Sequence, residues 1–134
     1  MILEQPEVGT GECHQEHSVI KGFQGIIIST DDLTQLLPFY RDILGLGTQM
    51  QSEGFVVLGG GQIALGLHSQ VRGKSRDPNR VIVNLNVDDC QAEYERLSGM
   101  GVEFIRKPSK EAPDLKIATF LDPDGNTLQL FEWV

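Results

Sequence analysis

The sequence predicts an α+β fold made of two βαβββ modules, and an internal repeat and a C-terminal hairpin support this prediction. The repeat aligns residues 25–32, GIIISTDD, with residues 82–89, IVNLNVDD. In each half, a strand-like run ends in two aspartates and leads into helical spacing, a glycine at the helix end and further strand-like runs. A repeat of about 57 residues has the length of one supersecondary unit, so two such units in one domain are predicted.

The hairpin lies within residues 117–132, and the turn Leu121–Asn126, LDPDGN, joins its two strands. Pro123 presets φ at the first turn position, and Gly125 can adopt a positive φ without steric cost. The side chains of Asp122 and Asp124 can hydrogen-bond nearby backbone groups. The residues of the turn therefore all favour a hairpin at this place.

The first module is predicted to begin with a strand over residues 23–30 and to continue into a helix. Asp31 or Asp32 can cap this helix, and Gly45 suits its C-terminal end. Pro38 conflicts with a regular helix, because an interior proline costs about 3 kcal/mol, so either the regular helix begins near it or the helix kinks there. Strands follow over residues 48–52, 55–58 and 62–68. The positions with helical spacing are Leu33, Leu36, Leu37, Tyr40, Ile43 and Leu44.

The second module repeats this pattern after a polar connector over residues 69–79. Its first strand is predicted over residues 80–87. A helix from Asp89 places Cys90, Tyr94 and Leu97 on one face, and Gly99 marks the helix end. The remaining strands are predicted over residues 102–106, 116–121 and 127–133.

The two modules and the hairpin resemble the vicinal-oxygen-chelate superfamily, which includes glyoxalase I, bleomycin-resistance proteins and extradiol dioxygenases. Asp32 and Leu33, followed by FYRDILGL over residues 39–46, are similar to the superfamily's first-module helix, and residues 122–130 to its second-module signature. The resemblance implies one curved mixed β-sheet around a cavity, with both helices on the outer face. We expect a single domain over residues 19–134, with modules at about 22–69 and 80–134, after a mobile N-terminal arm over residues 1–18.

Side chains alternate across a strand, so each predicted strand has two faces. The aliphatic face should pack on the helices and consists of Ile26, Ile28, Leu65, Leu67, Val83, Leu85, Leu128 and Leu130. The opposite face is mixed, and it is either exposed to solvent or, as the resemblance implies, lines the cavity. The predicted ligand contacts on it, with His68 and Gln129 in one cavity, are His68, Gln129, Asn84, Gly25, Gly66, Thr127 and Phe131.

Enzymes of the superfamily usually hold a divalent metal through His, Gln or Glu at one first-strand and one last-strand position of each module. Those positions correspond here to Gly25, Gly66, Ile82 and Gln129. Glycine and isoleucine offer no ligand atom, and a single neutral amide binds divalent metals poorly. The resemblance therefore predicts that the usual metal site is absent and that no metal or other cofactor is bound.

Two routes to metal binding and one to metal-free catalysis stay open. A shift of two residues in strand register would bring His68 or Asn84 towards the ligand positions. Alternatively, Cys13, His14 and His17 could bind a metal together with His68. His68 could also act as a general base without a metal, which makes it the candidate catalytic residue.

Composition narrows the classes of function and location. The net charge of −8 disfavours nucleic-acid binding, which relies on basic patches. No apolar run approaches the ~20 residues of a membrane span, and we expect neither membrane insertion nor secretion. Cys13 and Cys90 are isolated thiols without the spacing of a metal or redox motif, so we expect a reduced, cytoplasmic protein.

The preferred hypothesis is a small-molecule-binding homodimer that resembles the antibiotic-sequestering members of the superfamily, with its ligand in a groove between protomers. The alternative is an enzyme, either a lyase, an isomerase or a dioxygenase-like protein, that uses a non-standard metal site or acid–base chemistry at His68. A third hypothesis is a structural or regulatory dimer whose cavity binds nothing. A ligand that raises the melting temperature would separate the first two from the third, because binding only to the native state stabilises it.

Overall fold

A computed structural model describes residues 20–133 and shows the predicted α+β fold. The predicted N-terminal arm over residues 1–18 lies outside the described residues. Helix α1 spans Leu33–Pro38 and helix α2 spans Cys90–Gly99. Within the described chain, neither helix is long and apolar enough to cross a membrane. The strands are β1 Ile26–Thr30, β2 Thr48–Ser52, β3 Phe55–Leu58, β4 Ile63–Leu67, β5 Ile82–Asn86, β6 Phe104–Ala112, β7 Leu115–Leu121 and β8 Thr127–Trp133.

Each module forms a four-stranded mixed sheet, which confirms the two βαβββ units. The strand order is β1-β4-β3-β2 in module one and β5-β8-β7-β6 in module two. In each sheet the first and last strands of the module are parallel, and the other neighbours are antiparallel. Among the described residues the ladders stay within a module, so β1 and β5 are edge strands.

Aspartates begin both helices, as predicted. Thr34 N donates a hydrogen bond of 3.1 Å to Asp32 Oδ1, and Ala92 N donates one of 3.0 Å to Asp89 Oδ1. Each bond satisfies a backbone N–H that has no partner within the first helical turn. Because Asp32 and Asp89 both cap the N-terminus of their helix, they are equivalent positions from which the residues of the two modules can be matched one by one.

Pro38 changes the type of helix instead of starting one. The regular helix already begins at Leu33 and ends at Pro38, and a π-helical turn continues over Phe39–Ile43. Leu44 N donates to Phe39 O at 2.9 Å, which is a bond between residues five apart. Proline has no N–H for the regular ladder, so the chain continues in a wider turn. This turn buries the aromatic rings of Phe39 and Tyr40.

One hydrophobic core extends through both modules, and the predicted aliphatic face supplies much of it. The members of that face that are buried in the core or packed against it are Leu65, Leu128, Leu130, Ile28, Val83 and Leu85. Ile26 is half-buried. The prediction for Leu67 is wrong, because its side chain is 53% exposed. Strand β3 pairs with β4 only as far as Gly66, so Leu67 lies at the end of the strand, beyond that ladder.

Strand β6 is longer than predicted and ends at Ala112. The run of charged residues around Pro108 concealed it, since the sequence offers no alternation of polar and apolar residues there. β6 is the outer strand of its sheet and is interrupted by irregular register. Proline and charged side chains are tolerated at such edges because one side of the strand needs no partner.

The LDPDGN turn connects the two modules as well as two strands. Tyr40 Oη donates a hydrogen bond of 2.6 Å to Oδ2 of the buried Asp122. At the end of β1, Thr30 Oγ1 donates one of 2.6 Å to Asp124 Oδ2. The turn of module two is thus held against a strand and a helix of module one, which fixes the two modules relative to each other.

Candidate functional site

A row of polar side chains crosses the sheet of module two on the face opposite the core. The pair β5–β8 places Asn84 beside Gln129, and the pair β8–β7 places Gln129 beside Thr119. Arg106 on β6 is opposite Thr119. Directly paired residues project to the same face, and Gln129 Nε2 donates a hydrogen bond of 3.1 Å to Thr119 Oγ1. We call Asn84, Gln129, Thr119 and Arg106 the polar row.

The next level of the same face is mostly apolar. Asn86 pairs with Phe131, and Phe131 pairs with Ile117. The Phe131 ring is 6.2 Å from the ring of Trp133, in an edge-on arrangement. Ile117 is buried and Phe131 is half-buried. A few directional polar groups beside apolar and aromatic ones are the usual lining of a small-molecule site.

The polar row runs from an exposed edge towards a more enclosed centre. Asn84 is exposed, Gln129 is half-buried and Thr119 is only 6% exposed. Among residues 20–133 the side-chain amide of Asn84 has no hydrogen-bond partner. Asn84 also lines two clefts of about 330 Å³ each, one beside Ile26 and Ile63 of module one and one beside the end of the first helix. A ligand can therefore approach the row from the β5 edge.

Thr127, a predicted ligand contact on the same strand face as Gln129, is buried. Its Oγ1 donates a hydrogen bond of 3.1 Å to Asn79 Oδ1 in the connector between the modules. The connector therefore approaches this end of β8, and the hydroxyl of Thr127 already has a partner there.

Gly25, a predicted ligand contact and metal position, is closed to any larger residue. A Cβ atom built on Gly25 would lie 2.5 Å from the carbonyl oxygen of Gln62 and 2.9 Å from two further backbone atoms of that residue. The φ angle of 151° is one that residues with a side chain rarely adopt. The next residue, Ile26, donates a hydrogen bond of 2.9 Å from its N to Gln62 O, and this first bond between β1 and β4 holds the two backbones close together at Gly25.

Gly66 and His68 lie on module one, and among the described residues no hydrogen bond joins either of them to Gln129. At Gly66, the position of a Cβ would be 3.4 Å from the Phe55 ring and 3.5 Å from Ile27, so neighbouring apolar side chains already occupy the space. His68 lies beyond the end of β4 and is exposed. Its Nδ1 accepts a hydrogen bond of 3.2 Å from Gln70 N, which makes it part of a surface turn.

The observed register corrects the predicted equivalence between Gly66 and Gln129. Gln129 pairs with Asn84, five residues before the capping Asp89. In module one the residue five before Asp32 is Ile27, and Ile27 pairs with Ala64. Ala64 is therefore the counterpart of Gln129. The two-residue difference arose because Gly66 lies between two leucines, as Gln129 does, whereas the true counterpart Ala64 lies between Ile63 and Leu65.

The four positions at which the resemblance implies metal ligands do not suit a metal ion. Gly25 has no room for a side chain, Gly66 faces apolar groups, and Ile82 has no donor atom. Gln129 offers a single carbonyl oxygen, and one neutral amide binds a divalent ion poorly; its nitrogen donates to Thr119. Within residues 20–133 no three His, Cys, Asp or Glu side chains are grouped so that they could hold a metal.

Arg106 and Thr119 belong to the polar row but were not among the predicted contacts. The two-face division was applied only to the first and last strands of each module, whereas Thr119 lies on β7 and Arg106 on β6. The two-residue period of β7 puts Ile117, Thr119 and Leu121 on the face opposite Ala118 and Phe120, and this is the signal that could have identified the hydroxyl. Arg106 offers no such signal, because its register depends on the irregularities of β6.

The groups with shifted pKa values in the core and the LDPDGN turn have structural roles. Burial, followed by the charge of Asp122, holds the pKa of Tyr40 well above its usual value of 10. Burial also raises the pKa of Asp124, although the hydrogen bond from Thr30 opposes the change. Asp122 accepts four hydrogen bonds, from Tyr40 Oη, Asp124 N, and the backbone and side-chain nitrogens of Asn126. A carboxylate with four hydrogen bonds of this kind holds the turn together.

Comparison with known proteins gives a consistent family. The profile of the Glyoxalase/Bleomycin resistance protein/Dioxygenase superfamily matches residues 22–130. A protein named metallothiol transferase FosB from Staphylococcus haemolyticus is 28% identical over 116 residues, which cover 84% of each chain. A FosB from Staphylococcus saprophyticus is 22% identical over 116 residues, which cover 84% of this chain and 77% of that protein.

Solved structures share the fold. TnmS3, an antibiotic binding protein from Streptomyces sp. CB03234, superposes with a TM-score of 0.69 and is 25% identical. The superposition covers 88% of this chain and 100% of TnmS3. A glyoxalase/bleomycin resistance protein/dioxygenase from Nocardioides gives a TM-score of 0.69 at 20% identity, covering 90% of this chain and 89% of the other. A protein of unknown function from Agrobacterium tumefaciens gives 0.70 at 23% identity, covering 84% and 94%.

Proposed function

Because this chain belongs to the glyoxalase/bleomycin resistance protein/dioxygenase superfamily, we propose that it is a small-molecule-binding protein that works without the superfamily's usual metal. The observation that carries the proposal is the pair of Gln129 and Thr119, half-buried and buried, on the sheet face that does not pack against the core. Burying amide and hydroxyl groups has a cost of about 1–3 kcal/mol each unless they are bonded. The bond from Gln129 Nε2 to Thr119 Oγ1 orients the two side chains, and a polar ligand could bond the carbonyl oxygen of Gln129. The binding of an antibiotic by the similar TnmS3 supports this class of function.

The proposed ligand lies between two protomers. In one chain the polar row faces away from the shared core, and the corresponding face of module one carries exposed Ile27 and Met50. A second copy of the chain that presents its apolar module-one face to the polar row would complete a pocket with one apolar and one polar wall. The homodimer is thus part of the proposed function.

A binding experiment tests the role of Gln129. A thermal-shift screen of metabolites and antibiotics identifies a ligand, which is then titrated against wild type, Gln129→Ala and Asn84→Ala. Loss of a polar contact to a buried ligand group should weaken binding about ten- to a hundredfold. Gln35→Ala, which removes the same amide from an exposed helical position, is the control and should bind like wild type. Unchanged affinity in both test variants would contradict the proposal.

The name of the curated relatives, metallothiol transferase, favours an enzyme as the second candidate. His68 would then act as a general base, or a non-standard site would hold a metal. Metal analysis separates the two candidates. The binding-protein proposal expects far less than one equivalent of Zn, Mn, Fe or Ni after desalting, whereas stoichiometric metal that is lost in Gln129→Ala would favour the enzyme.

A further inference from the structure

The two modules carry opposite chemistry at the same structural level. Ile27 is the counterpart of Asn84, since each lies five residues before its helix-capping aspartate. From Ile27 the row crosses module one through Ala64 on β4 and Val57 on β3 to Met50 on β2. All four are apolar, whereas the polar row of module two contains two amides, a hydroxyl and a guanidinium.

This internal comparison separates what the fold requires from what it does not. The same βαβββ sheet is built in module one with an entirely apolar row, so strand pairing does not demand polar groups at this level. Apolar side chains would also avoid the desolvation of Thr119, which is only 6% exposed. The polar row is therefore found in module two and not at the same level of module one. Its polar groups are better explained by contacts with a ligand than by the needs of the fold.

Arg106 supplies the charge of the row and sits at its β6 end. Among the described residues its ion-pair partner is Glu111, further along the same irregular strand, and about two-fifths of the Arg106 side chain is exposed. Ser109 Oγ donates a hydrogen bond of 2.6 Å to Glu111 Oε2. The guanidinium is thus paired, at the edge of the proposed binding face, with a carboxylate on a flexible side chain that a ligand group of the same charge can displace.

The charge of Arg106 matters for ligand binding more than the charge of −8 that the whole chain carries, because charges more than about 8 Å away are largely screened at physiological ionic strength. Residues 106–116 contain four basic and two acidic residues. Lys116 shares the core-facing side of its strand with Ala118 and Phe120, and Lys110 pairs with it. Arg106 is therefore the charged group that the row itself presents to a ligand.

We propose that the polar row selects an elongated ligand that bears an oxyanion, such as a carboxylate, and that this group replaces Glu111 as the partner of Arg106. The row crosses four strands, so such a ligand would span about 14 Å, given strand spacings of about 4.8 Å. Its oxyanion binds at β6, and its hydrogen-bonding groups face the hydroxyl and the two amides. The inference rests on the proposed binding face and adds the charge and orientation of the ligand.

Two fluorescent probes test the charge selection. One is 1-anilinonaphthalene-8-sulfonate, an aromatic anion, and the other is Nile red, an uncharged dye. Both are titrated into wild type, Arg106→Gln, Glu111→Gln and Arg80→Gln, after thermal unfolding has shown that each variant is folded. Arg80 is the matched control, because it is an exposed arginine paired with Asp77 in the connector and its loss changes the net charge equally.

The expected result is a change of opposite sign in the two variants of the ion pair. Arg106→Gln should weaken binding of the anionic dye about tenfold or more, since a charge-assisted contact is lost, and Glu111→Gln should strengthen it severalfold by removing the competing carboxylate. Nile red should bind all four proteins alike, and Arg80→Gln should match wild type. Equal affinity of the anionic dye for all four proteins would overturn the charge selection. In that case, binding of Nile red would still support the proposed binding face. If wild type binds neither dye, the binding face itself fails and the inference with it.

Discussion

Gly25 and His68 show that the meaning of a single residue depends on the backbone around it. The sequence identifies Gly25 as a position that lacks a metal ligand, and the structure adds that no ligand could be placed there, because the backbone of Gln62 occupies the space. In the sequence, His68 lies two residues after Gly66 and so falls on the mixed face of the predicted strand, which is why it is the candidate catalytic residue. Counting along a strand does not reveal where the strand ends, and His68 lies beyond that end in an exposed turn.

Replacing Gly25 with alanine should destabilise the protein strongly. The new Cβ would meet backbone atoms at 2.5–2.9 Å, which cannot move as a flexible side chain can. Gly22→Ala is the matched control, since Gly22 has a similar φ of 156° but no atom within 4 Å of the place that a Cβ would take. Overpacking costs about 1–3 kcal/mol, so urea denaturation should give a free energy of unfolding lower by about that amount in Gly25→Ala than in Gly22→Ala. Equal values for the two variants would refute the close approach.

At the scale of elements, regular patterns were predictable and irregular ones were not. Strands β2, β3 and β8 have the predicted bounds, because each is a short run that begins after a glycine or after the LDPDGN turn. The face assignment of β5 and β8 is confirmed, because Leu128 and Leu130 lie in the core and Val83 and Leu85 pack against it. The C-terminal half of β6 and the pairing of Arg106 could not be predicted, because residues inserted into an edge strand break the two-residue period on which face assignment depends.

The LDPDGN turn offers a prediction about pH. Burial raises the pKa of Asp124 above its ordinary value of about 3.8, so the folded protein binds this proton more tightly than the unfolded chain does. Stability contributed by this group therefore falls as the pH rises from the ordinary value through the raised one, and the ionised carboxylate has a cost at neutral pH. Asp124→Asn should raise the melting temperature at pH 7, and its advantage should shrink as the pH is lowered towards 4.

Thermal unfolding between pH 7 and pH 4 measures this effect. The asparagine can still accept the hydrogen bond from Thr30, so the contact between the modules is kept. Asp114→Asn removes the same charge from an exposed position in the hairpin between β6 and β7 and serves as the control. An advantage of Asp124→Asn that grows on acidification would have the wrong sign and would contradict the assignment of burial as the main cause.

The whole molecule combines one shared core with two sheet faces that differ in chemistry. The core unites the modules through Phe39, Tyr40 and Phe120, and the LDPDGN turn fastens them together. At the level of the polar row, the face opposite the core is apolar on module one and polar on module two. The repeat in the sequence already aligns Ile27 with Asn84, but the rest of the difference in chemistry became visible only when the strand register matched Ala64 with Gln129.

The edge strands β1 and β5 lead to the prediction that two chains associate. Beside the cleft between these edges, Phe23 is 72% exposed, Val81 65% and Ile82 39%. Edge strands combine unpaired backbone groups with such apolar side chains, and this combination favours pairing with another chain. Light scattering at high micromolar concentration should therefore give about twice the mass of 14.8 kDa. Val81→Asp should yield the monomer, whereas Met100→Asp, which places the same charge at an exposed apolar position after α2, should stay dimeric. A monomeric wild type would refute the dimer and, with it, the completion of the pocket by a second copy.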